Sequence, residues 1–242
     1  MSNETKFRPE DAVRALFGLG RGGMQRRQPV AAEMPPLERA LRAYQSARLA
    51  RTHADLVISP EYGPATRFFL TDIYAPKDFS KRDADLMAMR DFLSRVLPPQ
   101  AIRVLTHTVE INDLTNHLEQ EMVAHLAAMG VTDSITPEQY ATAYRMGDYQ
   151  QRVRQIDLVL AVGRDLSRLT HIPLVGTTLR AARGPAHRFG WADLQDFLER
   201  GFGAWQAMHD PEHFLQSIEA RERAINDALF QRIEALPPGV RA

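Results

Sequence analysis

Apolar residues along this chain recur at the spacing of α-helices. Residues 100–129 and 191–208 each carry apolar positions three or four residues apart, which is typical of an amphipathic helix. Residues 149–170 are apolar on nearly all sides, as expected for a helix at the centre of a bundle. No segment alternates apolar and polar residues with β-branched enrichment, so we predict no strand. The pattern predicts an all-α fold, a single-domain bundle of about eight or nine helices around a central long helix.

Proline, glycine and capping residues set the expected helix boundaries. Proline at a first helical position opens a helix after Thr136, and Ser80 with Asp83 resembles a capping box. Proline pairs and single glycines end other helices. The predicted helices cover residues 9–19, 35–57, 64–74, 80–97, 100–129, 137–146, 149–170, 174–183, 191–208 and 211–236.

The chain divides into three regions by its composition. Residues 1–34 are expected to form a short helix followed by a flexible linker that is rich in glycine and arginine. Residues 35–236 form the helical domain, and residues 237–242 form a C-terminal tail. The linker contains a G-x-G-x-x-G pattern, but a helical pattern precedes it where a dinucleotide fold would have a strand. A linker is therefore the favoured interpretation.

The composition is that of a soluble globular domain and excludes several functions. The sequence is 44% hydrophobic and 25% charged, which is sufficient for a sizeable core. A formal net charge of +0 argues against a dedicated nucleic-acid binder. The absence of cysteine excludes disulfides, thiolate metal sites and cysteine nucleophiles. No apolar run approaches the roughly 20 residues of a membrane span, and the polar N-terminus does not resemble a secretory signal, so a cytoplasmic location is expected.

Histidines and acidic residues lie beside the apolar face of the predicted long helix. His117, Glu121 and His125 are spaced four residues apart. His107 projects close to the same face. One interpretation is a ligand set for a metal, a haem or another planar apolar molecule, completed by Glu222 from the last helix. The other is a structural role, with the histidines hydrogen-bonded to carboxylates at the edge of the core. No motif assigns a metal or cofactor.

Glu222 also has an interpretation of its own. It lies in the middle of the apolar stripe of the last predicted helix. A carboxylate in that position is costly unless it is paired. A buried arginine partner is therefore expected in preference to a catalytic or ligand role.

A basic cluster surrounds the Gly184–Pro185 turn. It contains Arg180, Arg183 and Arg188. A solvated basic turn is the favoured interpretation, and an anion-binding patch for phosphate is the alternative.

Two segments resemble the signature of a family of uncharacterised bacterial proteins. They are residues 67–83, RFFLTDIYAPKDFSKRD, which contain an FFLxDIYxPKDFSxRD-type motif, and residues 194–202, LQDFLERGF. The resemblance covers residues 35–236. It implies a helical bacterial protein without an assigned activity, and it supplies no catalytic residue.

The function itself stays unknown from the sequence. The chain contains no G-x-S-x-G, H-E-x-x-H or P-loop motif, so no complete catalytic constellation is evident. The sequence favours a non-enzymatic helical protein that binds a protein partner or forms a homo-oligomer. The alternative is a ligand-binding protein or enzyme that uses the histidine and glutamate residues of the long helix.

Overall fold

The computed structural model describes residues 34–73 and 99–240, apart from residues 189, 191, 234 and 238. These residues form α-helices and one π-helical turn without a strand, which confirms the predicted all-α single-domain bundle. None of the described helices combines the length and apolarity that crossing a membrane requires. The helices are α1 Pro36–Thr52, α2 Ala54–Ile58, α3 Gly63–Phe68, α4 Pro99–Ala128, α5 Pro137–Arg145, α6 Tyr149–Thr170, α7 Val175–Ala181, α8 Arg183–Arg188, α9 Ala192–Gln206 and α10 Pro211–Leu229. The π-helical turn is Phe69–Ile73 and follows α3 directly.

Several sequence-based predictions concern residues outside this description. They are the helix at residues 9–19, the glycine- and arginine-rich linker up to residue 33, and the helix at residues 80–97. The division of the chain at residues 34 and 236 stays a prediction.

The predicted cap at Thr136 places the start of α5 correctly, and a second side-chain cap, which was not predicted from the sequence, begins α6. The Thr136 side chain accepts a hydrogen bond from the backbone N–H of Gln139, and the Gln139 side chain accepts one from the backbone N–H of Thr136. This reciprocal pair satisfies two backbone donors at the start of α5. Helix α6 has the predicted bounds because the Asp148 side chain accepts from two backbone N–H groups in its first turn.

Three predicted helices differ from those observed, and α8 lies where no separate helix was predicted. The helix expected at residues 64–74 divides into α3 and the π-helical turn. The expected helix at residues 35–57 divides at His53, whose side chain is hydrogen-bonded to Glu222, into α1 and α2. The last helix ends at Leu229, not near residue 236, and Gln231 has a φ of 56°. Apolar residues continue beyond that point, so the spacing alone extends the prediction too far.

Helix α6 is the centre of the bundle. It packs against α4 and α10 and also contacts α9 and α7, as its apolar character on nearly all sides predicts. Helices α6 and α10 are antiparallel. The Tyr149 hydroxyl at the start of α6 donates to Asp227 near the end of α10 at 2.8 Å, and Arg164 pairs with Glu212 at the opposite ends at 3.3 Å.

Two clusters of buried side chains form most of the core. The first is built around Trp205, Phe214 and Leu160. The second is built around Leu41, Met122, Leu126 and Tyr140. Side chains of both clusters line the cavity described below, so this cavity lies between them.

Two glycines on α9 have contrasting environments. Gly201 is buried, and a Cβ at this position would lie 2.8 Å from the Phe68 ring. The Phe68 side chain is only 8% exposed and packs against Phe197, so it has little room to move. Gly203 is exposed and has no atom within 4 Å of such a Cβ. Close packing therefore requires glycine at position 201 only.

Alanine substitutions at these two glycines are expected to have opposite effects. Gly201→Ala should lower the free energy of unfolding by about 1–3 kcal/mol through overpacking against Phe68. Gly203→Ala should raise it by about 1 kcal/mol, since alanine is the better helix former. Urea denaturation of both variants measures the two changes. Effects of the same sign would contradict the close approach of Phe68 to α9.

Candidate functional site

A cavity of about 120 Å³ lies between the two core clusters. Helices α1, α4, α5, α6 and α10 and the π-helical turn contribute to its wall. Its polar lining side chains include Arg48, His53, Glu119, Tyr144, Arg152, Glu222 and Asn226, and its apolar ones include Leu56, Phe69, Ile156, Val159, Phe214 and Ile218. A concave pocket that combines apolar walls with convergent polar groups is typical of a site for a small molecule.

Glu222 binds two side chains from the first part of the chain. Arg48 on α1 donates through Nη1 to both carboxylate oxygens, at 2.7 and 2.6 Å. His53, between α1 and α2, places Nε2 2.9 Å from Oε1. Arg48 is the buried arginine partner that the sequence predicts for Glu222, and the Glu222 side chain is 15% exposed.

The charges of this pair stabilise one another. Burial opposes ionisation of Glu222, but the Arg48 guanidinium and the hydrogen bond from His53 outweigh it and lower the pKa of Glu222 to about 2. Burial disfavours the charge on Arg48, and the nearby Glu222 carboxylate overcomes this effect and raises the pKa of Arg48. Both residues are therefore charged at neutral pH. The pair joins α1 to α10 beside the cavity.

Arg152 on α6 is a buried cation of a different kind. It lines the cavity and is only 4% exposed. It forms no ion pair with any carboxylate in the described parts of the chain, and its Nε has no hydrogen-bond partner there. Its guanidinium lies 4.3 Å from the centre of the Tyr144 ring, and Nη1 reaches the Gln155 side chain at 3.5 Å. These contacts hold the side chain without neutralising its charge.

The carboxylates near Arg152 already have other partners. Glu119 accepts from Arg42 Nε at 3.0 Å, and Glu222 is bound by Arg48. Burial raises the pKa of Glu119 despite the opposing charges of Arg42 and, more weakly, Arg152. The described lining thus contains two arginines, Arg48 and Arg152, and two carboxylates, Glu119 and Glu222. Glu222 pairs with Arg48, and Glu119 pairs with Arg42 from outside the lining, so Arg152 is the lining arginine without a carboxylate partner among the described residues.

The neighbouring polar side chains are fixed by contacts between helices. The Tyr144 hydroxyl donates to the Asn226 side chain at 3.1 Å, and Asn226 is 2% exposed. Gln155 donates to the Thr115 hydroxyl at 2.9 Å and so joins α6 to α4. Burial raises the pKa of Tyr144, which is therefore neutral at physiological pH. This wall offers oriented donors and acceptors around Arg152.

The π-helical turn forms part of the apolar end of the cavity. Phe69 and Leu70 both belong to this turn and both line the cavity. Such turns are rare and are found frequently at functional sites. Phe69 also packs against Trp205 of the first core cluster, with ring centres 5.9 Å apart.

The histidines predicted on the long helix each have a partner within the protein. His107 Nδ1 lies 3.1 Å from Asp165, His117 Nε2 lies 3.3 Å from Glu121, and His125 Nδ1 lies 3.1 Å from the backbone carbonyl of Ala143. Within the described ranges, no three histidine, aspartate or glutamate side chains are placed to hold a metal ion. Glu222 is bound to Arg48 and His53 instead.

Gly184 and Pro185 lie at the start of α8 and do not form the expected turn between helices. The three arginines around them have different surroundings. Arg183 forms an ion pair with Glu199 on α9. Arg180 Nη2 donates to Thr177 at 3.4 Å, and Arg188 is exposed. The Glu199 carboxylate already occupies the Arg183 guanidinium, so these geometries do not single out an anion-binding patch.

Sequence reasoning identified Glu222 but missed Arg48, His53 and Arg152. One signal was available for Arg152, because it interrupts the apolar positions of α6 just as Glu222 interrupts those of α10. No comparable signal marks Arg48, which lies on a helix of mixed polarity, or His53, which follows the last residue of that helix. Their role follows from a contact with α10, some 170 residues further along the chain.

Fold and site together define a helical bundle with a cavity whose lining includes a buried cation, Arg152, that has no carboxylate partner in the described part of the chain. The chain belongs to the family described as Domain of unknown function (DUF8198), whose sequence profile matches residues 25–235. Searches among curated proteins and among solved structures found no match. The family assignment agrees with the resemblance to a family without an assigned activity. The specific motif and the bacterial origin stay predictions.

Proposed function

We propose that this protein binds a small anion in the cavity and that Arg152 is the residue that holds it. The observation that carries the proposal is the burial of Arg152 beside the cavity without a carboxylate partner among the described residues. An uncompensated charge in the interior is costly, and buried charges are normally paired. An anionic ligand in the cavity would supply the pairing that the described side chains do not.

The arrangement around Arg152 favours a ligand that accepts two parallel hydrogen bonds from the planar guanidinium group. The stacking on Tyr144 orients the guanidinium, and its donors match the geometry of a carboxylate or a phosphate. Arg48 cannot take this role in the same way, since both Glu222 oxygens already accept from it. The Arg48–Glu222 pair instead fixes the opposite wall. Binding to a preformed site of this kind loses little free energy to reorganisation.

Replacing Arg152 with methionine is expected to separate ligand binding from stability. In buffer without organic anions, the free energy of unfolding of the variant should be about 1–2 kcal/mol higher than that of wild type. The reason is that the substitution removes a buried charge that has no partner among the described residues. It should lose any increase in melting temperature that organic anions cause in wild type. Thermal melts at constant ionic strength, with chloride or with 3-methylbutanoate as the anion, measure both effects.

Arg154→Met is the matched control for this experiment. Arg154 lies two residues further along α6, has a side chain that is 64% exposed and pairs with Glu110. Its loss should leave the anion-dependent increase in melting temperature unchanged. The proposal is wrong if wild type shows no anion-dependent increase, or if both variants lose it to the same extent.

A further inference from the structure

We infer that the ligand of this cavity is a monocarboxylate with a small, branched apolar body. The inference rests on the proposed function, which requires only an anion, and adds the chemical class. It follows from the distribution of polar and apolar side chains along the cavity, from the cavity's size and from the balance of charge around Arg152.

The cavity has a charged end and an apolar end along the same two helices. On α6, Arg152 is followed by Ile156 and Val159, which also line the cavity. A rise of 1.5 Å per residue separates Arg152 from Val159 by about 10 Å along the axis. On the antiparallel α10, Glu222 lies at the charged end, and Ile218 precedes it toward the apolar end. A ligand with a charged group at one end only matches this order.

The apolar end belongs to the first core cluster and is lined mainly by aliphatic and aromatic side chains. Thr66 also lines the cavity, and its hydroxyl already donates to the backbone carbonyl of Tyr62. Leu56 and Phe214 are 5% and 0% exposed, and Ile156, Phe69 and Ile218 pack against this cluster. A volume of about 120 Å³ is slightly below the roughly 150 Å³ of an apolar cavity that accommodates benzene. A branched group of about four carbons therefore fits, with the carboxylate beside Arg152.

The charge around the cavity favours a single negative charge. Arg152 is the one buried cation of the described lining that lacks a carboxylate partner. The carboxylates of Glu119 and Glu222 lie in the same lining and would repel a doubly charged phosphate. A monocarboxylate pairs with Arg152 and is repelled less by these two carboxylates than a doubly charged phosphate.

Calorimetric titration with four probes tests the inference. The probes are 3-methylbutanoate, its neutral isostere 3-methylbutanamide, acetate and inorganic phosphate, all at the same ionic strength. We expect 3-methylbutanoate to bind roughly 30- to 60-fold more tightly than acetate, because three more carbons are buried. It should bind at least about 30-fold more tightly than the amide, which cannot pair with Arg152.

A substitution at the apolar end provides an independent readout. Val159→Thr keeps the shape of the side chain and adds a hydroxyl group beside the ligand body. It should weaken binding of 3-methylbutanoate about 5- to 10-fold and leave acetate binding unchanged. Val153→Thr is the matched control, since Val153 lies on the same helix and is not among the residues that line the cavity.

The outcomes distinguish the two proposals. One outcome is that phosphate or acetate binds as tightly as 3-methylbutanoate and that only Arg152→Met loses anion binding. This outcome would overturn the inferred ligand class and leave the proposed anion function intact. Amide binding equal to carboxylate binding would overturn both, because the charge of Arg152 would have no role. Heat from none of the four probes at millimolar concentration would also overturn both.

Discussion

Replacing Glu222 with alanine is expected to lower the free energy of unfolding by about 3–5 kcal/mol at pH 7. The substitution leaves Arg48 charged and buried, with 14% of its side chain exposed, and removes the acceptor of His53. Breaking a buried ion pair by removing one partner is costly because the remaining charge cannot be hydrated. Urea denaturation followed by circular dichroism measures the loss.

The effect of Glu222→Ala on the free energy of unfolding should also depend on pH. Because the pKa of Glu222 falls from 4.5 to about 2 on folding, its carboxylate contributes stability that is complete above pH 4.5 and is lost as the pH falls toward 2. The difference between wild type and Glu222→Ala should therefore shrink by roughly 3 kcal/mol across this interval. Glu212→Gln, at an exposed pair on the same helix, should cost less than about 1 kcal/mol at pH 7. An equal loss in the two variants would contradict the special position of Glu222.

Replacing Trp205 with alanine should lower the free energy of unfolding by about 3–5 kcal/mol. The side chain is 2% exposed and contacts Phe214 edge-on, with ring centres 5.8 Å apart. Its ring also lies over Gly163 of α6, where a Cβ would approach it to 3.2 Å. Loss of the indole leaves a cavity where α6, α9 and α10 meet. Chemical denaturation measures the change.

Trp205→Phe separates the effect of the ring from that of its polar group. Trp205 Nε1 is buried and lacks a hydrogen-bond partner among the described residues. Phenylalanine keeps an aromatic ring and removes this unpaired donor, so the loss should be only about 1–2 kcal/mol. A loss as large as that of alanine would show that packing tolerates no smaller ring, contrary to this expectation.

The fold was predictable because local sequence patterns mark its main helices. Helix α6 has the bounds that its apolar pattern predicts, and α5 begins at the predicted cap. The predictions fail where backbone geometry changes without a change of polarity. The division at His53 and the π-helical turn after Phe68 are of this kind. His53 is hydrogen-bonded to Glu222 and Phe69 packs against Trp205, and local spacing does not encode such contacts with distant residues.

The site was predictable only in part, for a related reason. A charged residue inside an apolar stripe marks Glu222, and the same reasoning applied to α6 would have found Arg152. Which charged side chains form ion pairs, and which one has no partner among the described residues, depends on how α1, α4, α6 and α10 pack together. The histidines of the long helix drew attention because of their spacing, yet His107 lies beside Asp165 and His125 beside a backbone carbonyl. Binding of a protein partner and self-association remain untested predictions.

The ion pair between α1 and α10 affects when the chain can fold during its synthesis. Arg48 and Glu222 are 174 residues apart, and Arg221 binds Asp55 across a similar distance. Helix α1 leaves the ribosome long before its partner exists, so Arg48 cannot be buried favourably until α10 emerges. Closure of the bundle is therefore expected only after α10 has left the ribosome. Until then, the surfaces that α10 later covers are open to chaperones.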